Sequence, residues 1–158
     1  MKLKMKRLLL VVCFFFSVWA FAGPKQRGYQ TECVAPETVG YVSINIWNTI
    51  KPLKYKLKHA QKDAIHALLF SGYAAGNTCS TIPAMLRTNE ERTHFEKVEK
   101  QFFSRWGKWR MFVRSASLKS SVNNTPNDRL IYTVSISKND LRKYLEDNNI
   151  IQKLNSGF

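Results

Sequence analysis

The chain has 158 residues, with 25 lysines and arginines against 11 acidic residues and a formal charge of +14 at pH 7. That length gives one domain with room for a real core. The sequence has no internal repeat and no low-complexity tract, which excludes repeat arrays and disordered tails.

The first 22 residues read as a cleavable secretory signal. Lys2, Lys4, Lys6 and Arg7 form a positive start, an apolar run follows from Leu8, and Ala20-Phe21-Ala22 is a small-x-small cleavage site before Gly23. The apolar run is about 15 residues, short of the ~20 that span a bilayer. Cys13 lies inside that run after Val12, which argues against a lipoprotein. No second long apolar segment follows. Cleavage takes four of the 25 basic residues and none of the 11 acidic ones, leaving a domain of residues 23–158 at +10.

Cleavage also removes Cys13, so Cys33 and Cys79 are left. In an oxidising compartment they have one intramolecular partner each, and a Cys33–Cys79 disulfide is expected. Both sit in polar, loop-like stretches.

Residues 23–37 show no periodicity and read as an extended leader. Residues 39–47 form the first expected strand, with Val42, Ile44 and Ile46 alternating against Tyr41, Ser43, Asn45 and Trp47. The first helix follows, capped by Asn48 or Thr49, with Pro52 in its first turn and Phe70 near its end. Leu53, Leu57, Ala60, Ala64 and Leu68 make its apolar stripe, widened by Ile65 and Leu69. Ser71-Gly72 stops it, and Gly76-Asn77 marks a turn.

Thr88 and Glu91 carry capping-box spacing for a second helix striped by Phe95, Val98 and Phe102. Gly107 ends it. A second strand is expected from Lys108 to about Leu118, a loop over 123–128, and a third strand over 130–136. Ser137 and Asp140 repeat the capping spacing before a third helix with Leu141, Tyr144 and Leu145 inward. The apolar tail of Ile150, Ile151, Leu154 and Phe158 should dock on the body. The order β-α-α-β-β-α predicts an α+β two-layer sandwich, a small mainly antiparallel sheet covered on one face by helices.

Three residue groups are candidates for function. His59, Asp63 and His66 fall on one side of the first helix and are suitable ligand types for zinc or another divalent ion. An Asp63 paired with Lys56 or Lys62 is the ordinary reading of the same row. Lys51, Lys54, Lys58 and Lys62 form a basic row with no acidic partner on its own face, suited to anionic glycans, lipid headgroups or an acidic envelope protein. In the third group, cations and aromatics interleave from Arg105 to Arg114. A strand there turns Trp109, Met111 and Val113 to the helices and leaves Lys108, Arg110, Phe112 and Arg114 on the open sheet face. Tyr41 and Trp47 would join them, unless the C-terminal tail covers that face. Such a surface resembles those that stack nucleic-acid bases, but export argues against nucleic acid and for a glycan, a peptide strand or a second subunit.

No serine has nucleophile-elbow context. The carboxylates of Glu90, Glu91, Glu96 and Glu99 interleave with Arg92, Lys97 and Lys100 as helix ion pairs do. No cofactor motif is present.

In the stretches Ala64-Ile65-His66-Ala67-Leu68-Leu69-Phe70-Ser71-Gly72 and Leu141-Arg142-Lys143-Tyr144-Leu145-Glu146-Asp147-Asn148-Asn149-Ile150-Ile151, the chain resembles small secreted proteins of unknown function from Bacteroidota. The resemblance implies a bacterial envelope location and assigns no active residue. The expected function is a periplasmic or cell-surface binding or assembly module, not an enzyme. The alternative is a small envelope hydrolase or metal-dependent enzyme using His59, Asp63 and His66.

Overall fold

A computed structural model describes residues 27–38, 40–75, 79–122 and 129–153. The expected signal, Val39, the Gly76-Asn77 turn, the loop at 123–128, Leu154 and Phe158 lie outside the described residues.

Four strands, β1 (Tyr29–Thr38), β2 (Tyr41–Asn48), β3 (Val113–Val122) and β4 (Arg129–Ser137), pair antiparallel in the order β1-β2-β4-β3. Three helices, α1 (Leu57–Phe70), α2 (Asn89–Phe102) and α3 (Lys138–Asp147), complete an α+β architecture in which helices pack on the sheet. The chain order is β-β-α-α-β-β-α. The additional strand is the segment read as a leader. Its Tyr29-Gln30-Thr31-Glu32-Cys33 run has the alternation a strand needs, and Cys33 pairs opposite Ile44 on the helix-covered face.

The core lies between Val42, Ile44, Ile46, Val134 and Ile136 of the central strands and Ala60, Ala64, Ile65 and Leu68 of α1. Rings then link the remaining elements. Phe95 of α2 meets Phe70 of α1 at 5.7 Å and Phe102 at 5.2 Å, and Phe112 stacks near Phe102 at 6.0 Å and Tyr144 of α3 at 5.5 Å. Ile150 and Ile151 close the same core. Of the expected tail, these two residues therefore dock on the helical side, not over the open sheet face.

Helix α1 is shorter than its sequence stripe suggests. Pro52–Lys54 form a single 3-10 turn, and the α-helix begins at Leu57. Leu53 and Leu57, assigned to the buried stripe, are instead exposed, while Ala60, Ala64 and Leu68 are fully buried. At the other end Gly72 adopts φ +72°, and its N–H donates to the Ala67 carbonyl at 2.7 Å. A Cβ there would fall 2.2 Å from the Ile82 carbonyl oxygen, so only glycine fits this stop.

Helix α2 has the expected capping box. Thr88 Oγ1 accepts from the Glu91 N–H at 3.1 Å, and the Glu91 carboxylate accepts from the Thr88 N–H at 2.9 Å. At α3 the hydroxyl of Ser137 donates to the Asp140 carboxylate rather than capping the backbone, so the reciprocal arrangement expected there does not form.

The second strand begins later than expected. Lys108–Phe112 is a 3-10 turn, and only from Val113 is the chain extended. The turn's period of three brings Trp109 and Phe112 together into the core and leaves Met111 in solvent.

Cys33 and Cys79 form the expected disulfide, with Cα atoms 5.8 Å apart. Cys33 lies on a strand and is buried, not in a loop. The bond fixes the segment after Tyr73, which itself pairs with Ile82, against β1.

Candidate cationic cleft

Several polar side chains meet where the start of β1, the turn after β2 and α1 converge. Asn48 ends β2, and its Oδ1 accepts from the N–H groups of Ile50 at 2.9 Å and Lys51 at 2.6 Å. This Asx turn swings the chain back toward the start of α1. The result is a cleft of about 290 Å³ in which Lys51 and Lys54 face Arg27, His59, Lys62 and Asp63.

Asp63 is the polar floor. Its Oδ2 accepts from the Tyr55 hydroxyl at 3.0 Å, and its Oδ1 faces Arg27 Nη1 at 3.5 Å. Burial raises its carboxyl above the ordinary range, and the Tyr55 and Arg27 partners act against that shift. Arg27 also reaches Glu99 of α2 at 3.5 Å and lies 5.7 Å over the Phe103 ring, so one guanidinium joins three elements.

Lys62 donates to the Phe103 carbonyl and lies 5.5 Å from the Trp109 ring centroid. Burial, then the charges of Lys58 and Arg27, push its ammonium below the ordinary lysine range. Asp63 acts against that shift.

The lysine row is divided by the structure. Lys51, Lys54 and Lys62 line the cleft, and Lys58 is exposed on α1 outside that lining.

Of the His59, Asp63 and His66 row, His59 and Asp63 line the cleft and His66 is held elsewhere. His66 shares a hydrogen bond of 2.8 Å between Nδ1 and the Tyr29 hydroxyl, and its ring stacks on Phe70 at 4.5 Å. Burial, aided by Arg27, lowers its pKa to about 4, so the imidazole is neutral at physiological pH. His59 is exposed, and His94 lies in a separate depression with Glu90, Glu91 and Ile151. Among the described residues, no group of three or more His, Cys, Asp or Glu side chains is placed to hold a metal ion.

The expected basic-aromatic sheet surface is also rearranged. Phe112 is a core residue, and Arg110 belongs to the 3-10 turn, where it lies 5.1 Å from the exposed Trp106 ring. Tyr41 and Arg114 do meet, with a 2.7 Å hydrogen bond and the guanidinium 4.9 Å over the ring. Trp47 instead pairs with Arg129 at 4.8 Å. Tyr41 and Trp47 lie at opposite ends of β2, about 20 Å apart at strand rise.

The space between them is polar. Asn45 is buried and bridges the strands, donating to Glu32 at 3.3 Å and accepting from Thr133 at 2.9 Å. Two separate cation–ring pairs therefore flank a hydrogen-bonded centre, and among the described residues no continuous stacking platform forms.

Arg27, Tyr29, Tyr55 and Arg129 escaped the sequence reading. Arg27 and Tyr29 sit in the assumed leader, where the alternation from Tyr29 was the available signal. The role of Tyr55 depends on the 3-10 turn and the start of α1 bringing its hydroxyl to Asp63, eight residues on, and that of Arg129 on the pairing of β4 with β2, neither of which a local pattern records.

Fold and cleft together define a small two-layer α+β domain with a cationic recess beside its sheet edge. Compared with known proteins, the chain matches no family model, no curated protein and no solved structure. Among the described residues, no helix is long and apolar enough to cross a membrane.

Proposed function

We propose that this protein is an exported binding module, periplasmic or at the cell surface, that engages an anionic partner at the cleft framed by Arg27, Lys51, Lys54 and Lys62. The observation that carries the reading is the convergence of these four cations from three chain segments on one recess. Like charges gathered on a partly buried surface repel, and an incoming anion relieves that repulsion. The Cys33–Cys79 bond and the signal-like start of the chain support export.

Retention on immobilised dextran sulfate tests the reading. The protein should bind at low ionic strength and elute by about 0.5 M salt, where charges a few ångströms apart are screened. Lys51→Glu with Lys54→Glu should weaken retention by roughly ten-fold or more, on the scale of 1 kcal/mol per exposed charge. Equal retention of wild type and variant would defeat it.

A further inference from the structure

We propose that the turn between β2 and α1 docks the domain on an anionic lipid bilayer, with Ile50, Leu53 and Leu57 entering the headgroup boundary. The inference rests on the anionic-partner reading above and deepens it: the partner of the cleft is the lipid headgroup layer.

Three apolar side chains in this segment are left in water by the fold. Ile50 is 65% exposed, Leu53 62% and Leu57 38%. Singly exposed leucines are ordinary. Three within eight residues, at a turn that could have carried polar side chains, mark a surface with a partner.

The charges around them indicate which partner. Lys51, Lys54, Lys56 and Lys58 interleave with the three apolar residues and are all exposed. No aspartate or glutamate occurs between Glu37 and Asp63. Protein interfaces are depleted in lysine, whereas apolar tips ringed by lysine are what binds a negatively charged leaflet. Each lysine brought near such a leaflet contributes about five-fold in affinity. The long methylene stems let the ammonium groups stay at phosphate level while the tips go deeper.

The turn is held ready for this. Asn48 accepts from two successive backbone N–H groups, and the Thr49 N–H donates to the Gly28 carbonyl at 2.7 Å. Ile50 lies so close over Gly28 that a Cβ there would fall 2.2 Å from its side chain. Little ordering entropy remains to be lost on docking. The cationic recess opens beside the same turn, where Arg27 and Lys62 can meet a headgroup phosphate.

Vesicle binding of the exported protein tests this, with dextran sulfate retention run in parallel. Equimolar phosphatidylglycerol–phosphatidylcholine vesicles should bind it at low ionic strength, and pure phosphatidylcholine should not. Ile50→Ser, Leu53→Ser and Leu57→Ser combined should reduce vesicle binding by roughly ten-fold or more and leave dextran sulfate retention unchanged. Because all three residues are exposed, unaltered thermal unfolding should accompany that loss. In Leu53→Trp, emission should shift to the blue on the anionic vesicles. A Lys97→Glu, Lys143→Glu control, with charges changed elsewhere, should reduce binding far less than Lys54→Glu, Lys58→Glu.

Vesicle binding that survives the triple serine variant, or that brings no blue shift at position 53, overturns the proposal. So does a dimer of the free protein that dissociates in the triple variant and ignores vesicles. Retention on dextran sulfate without vesicle binding removes the bilayer as partner and leaves the cleft reading standing; loss of both removes both.

Discussion

At His66 a basic side chain is placed where its charged form is poorly tolerated. Phe70 stacks on the ring, Phe103 lies at 6.2 Å, and Arg27 adds a like charge. The folded-state pKa is about 4, against 6.5 for an unperturbed imidazole. The unfolded chain therefore binds a proton before the native state does, and acid favours unfolding. Stability from this site is complete above about pH 6.5 and declines as pH falls toward about 4. With the ring partly solvated, the loss should be about 1–2 kcal/mol. Asp63 acts in the opposite direction at the low end, because burial raises its carboxyl and the native state takes up that proton readily. Urea unfolding from pH 7 to 4.5 should show a slope that flattens in His66→Gln, which keeps a partner for Tyr29. An unchanged slope would mean that the charged ring is accommodated.

At the scale of the element, periodicity marked three of the four strands and all three helices, missed β1, and misplaced element ends where a short 3-10 turn interrupts them. Residues 108–118 satisfy alternation well, yet alternation assigns Met111 to the core and Phe112 to the surface. The turn reverses both. Phe112→Ala should cost about 3–5 kcal/mol as a core truncation, and Met111→Ala should stay within about 0.5 kcal/mol. Chemical denaturation of the two variants checks this, and the opposite ranking would restore a continuous strand. The same cause hides the apolar part of the proposed docking surface. Leu53 and Leu57 match the helical stripe by spacing, but Pro52 and the Asx turn at Asn48 start a tighter turn, so the helix takes no part of them into its buried face. The lysine row was legible as a composition but not as a helix face, because Lys51 and Lys54 precede α1 and Lys58 lies outside the cleft that they share with Lys62. Its meeting with Arg27 was not legible either, because that depends on the register of β1 against β2. The capping box of α2 needed nothing beyond four residues, and it was fully readable. Thr88→Ala should destabilise by about 1 kcal/mol, with Thr88→Ser restoring most of it; thermal melts of the two variants decide.

For the whole molecule, the consequential long-range tie is the disulfide. It closes a loop with a sequence separation of 46 residues that contains β2 and α1, with Tyr73 inside the loop and its bridge partner Ile82 three residues beyond Cys79. On the chain-entropy account, a loop of that size stabilises the fold by about 4 kcal/mol through the unfolded state. That is a large share of the 5–15 kcal/mol typical of a whole domain. The bond also ties Cys79 to β1, an edge strand whose other anchors are its pairing with β2 and the Tyr29–His66 hydrogen bond to α1. Edge strands lose register most easily, so the damage in Cys33→Ala, Cys79→Ala should concentrate there. The melting temperature should fall by roughly 10 °C, and amide exchange should quicken in β1 more than in β4. The proposed export fits this bond, since a protein kept in a reducing compartment would hold both thiols free. Intact mass of the protein purified from its own host should show loss of residues 1–22 and two hydrogens fewer than the dithiol. A species that still begins at Met1, with both thiols open to alkylation, would take away the oxidising compartment. The cationic cleft would then have to find its anion inside the cell.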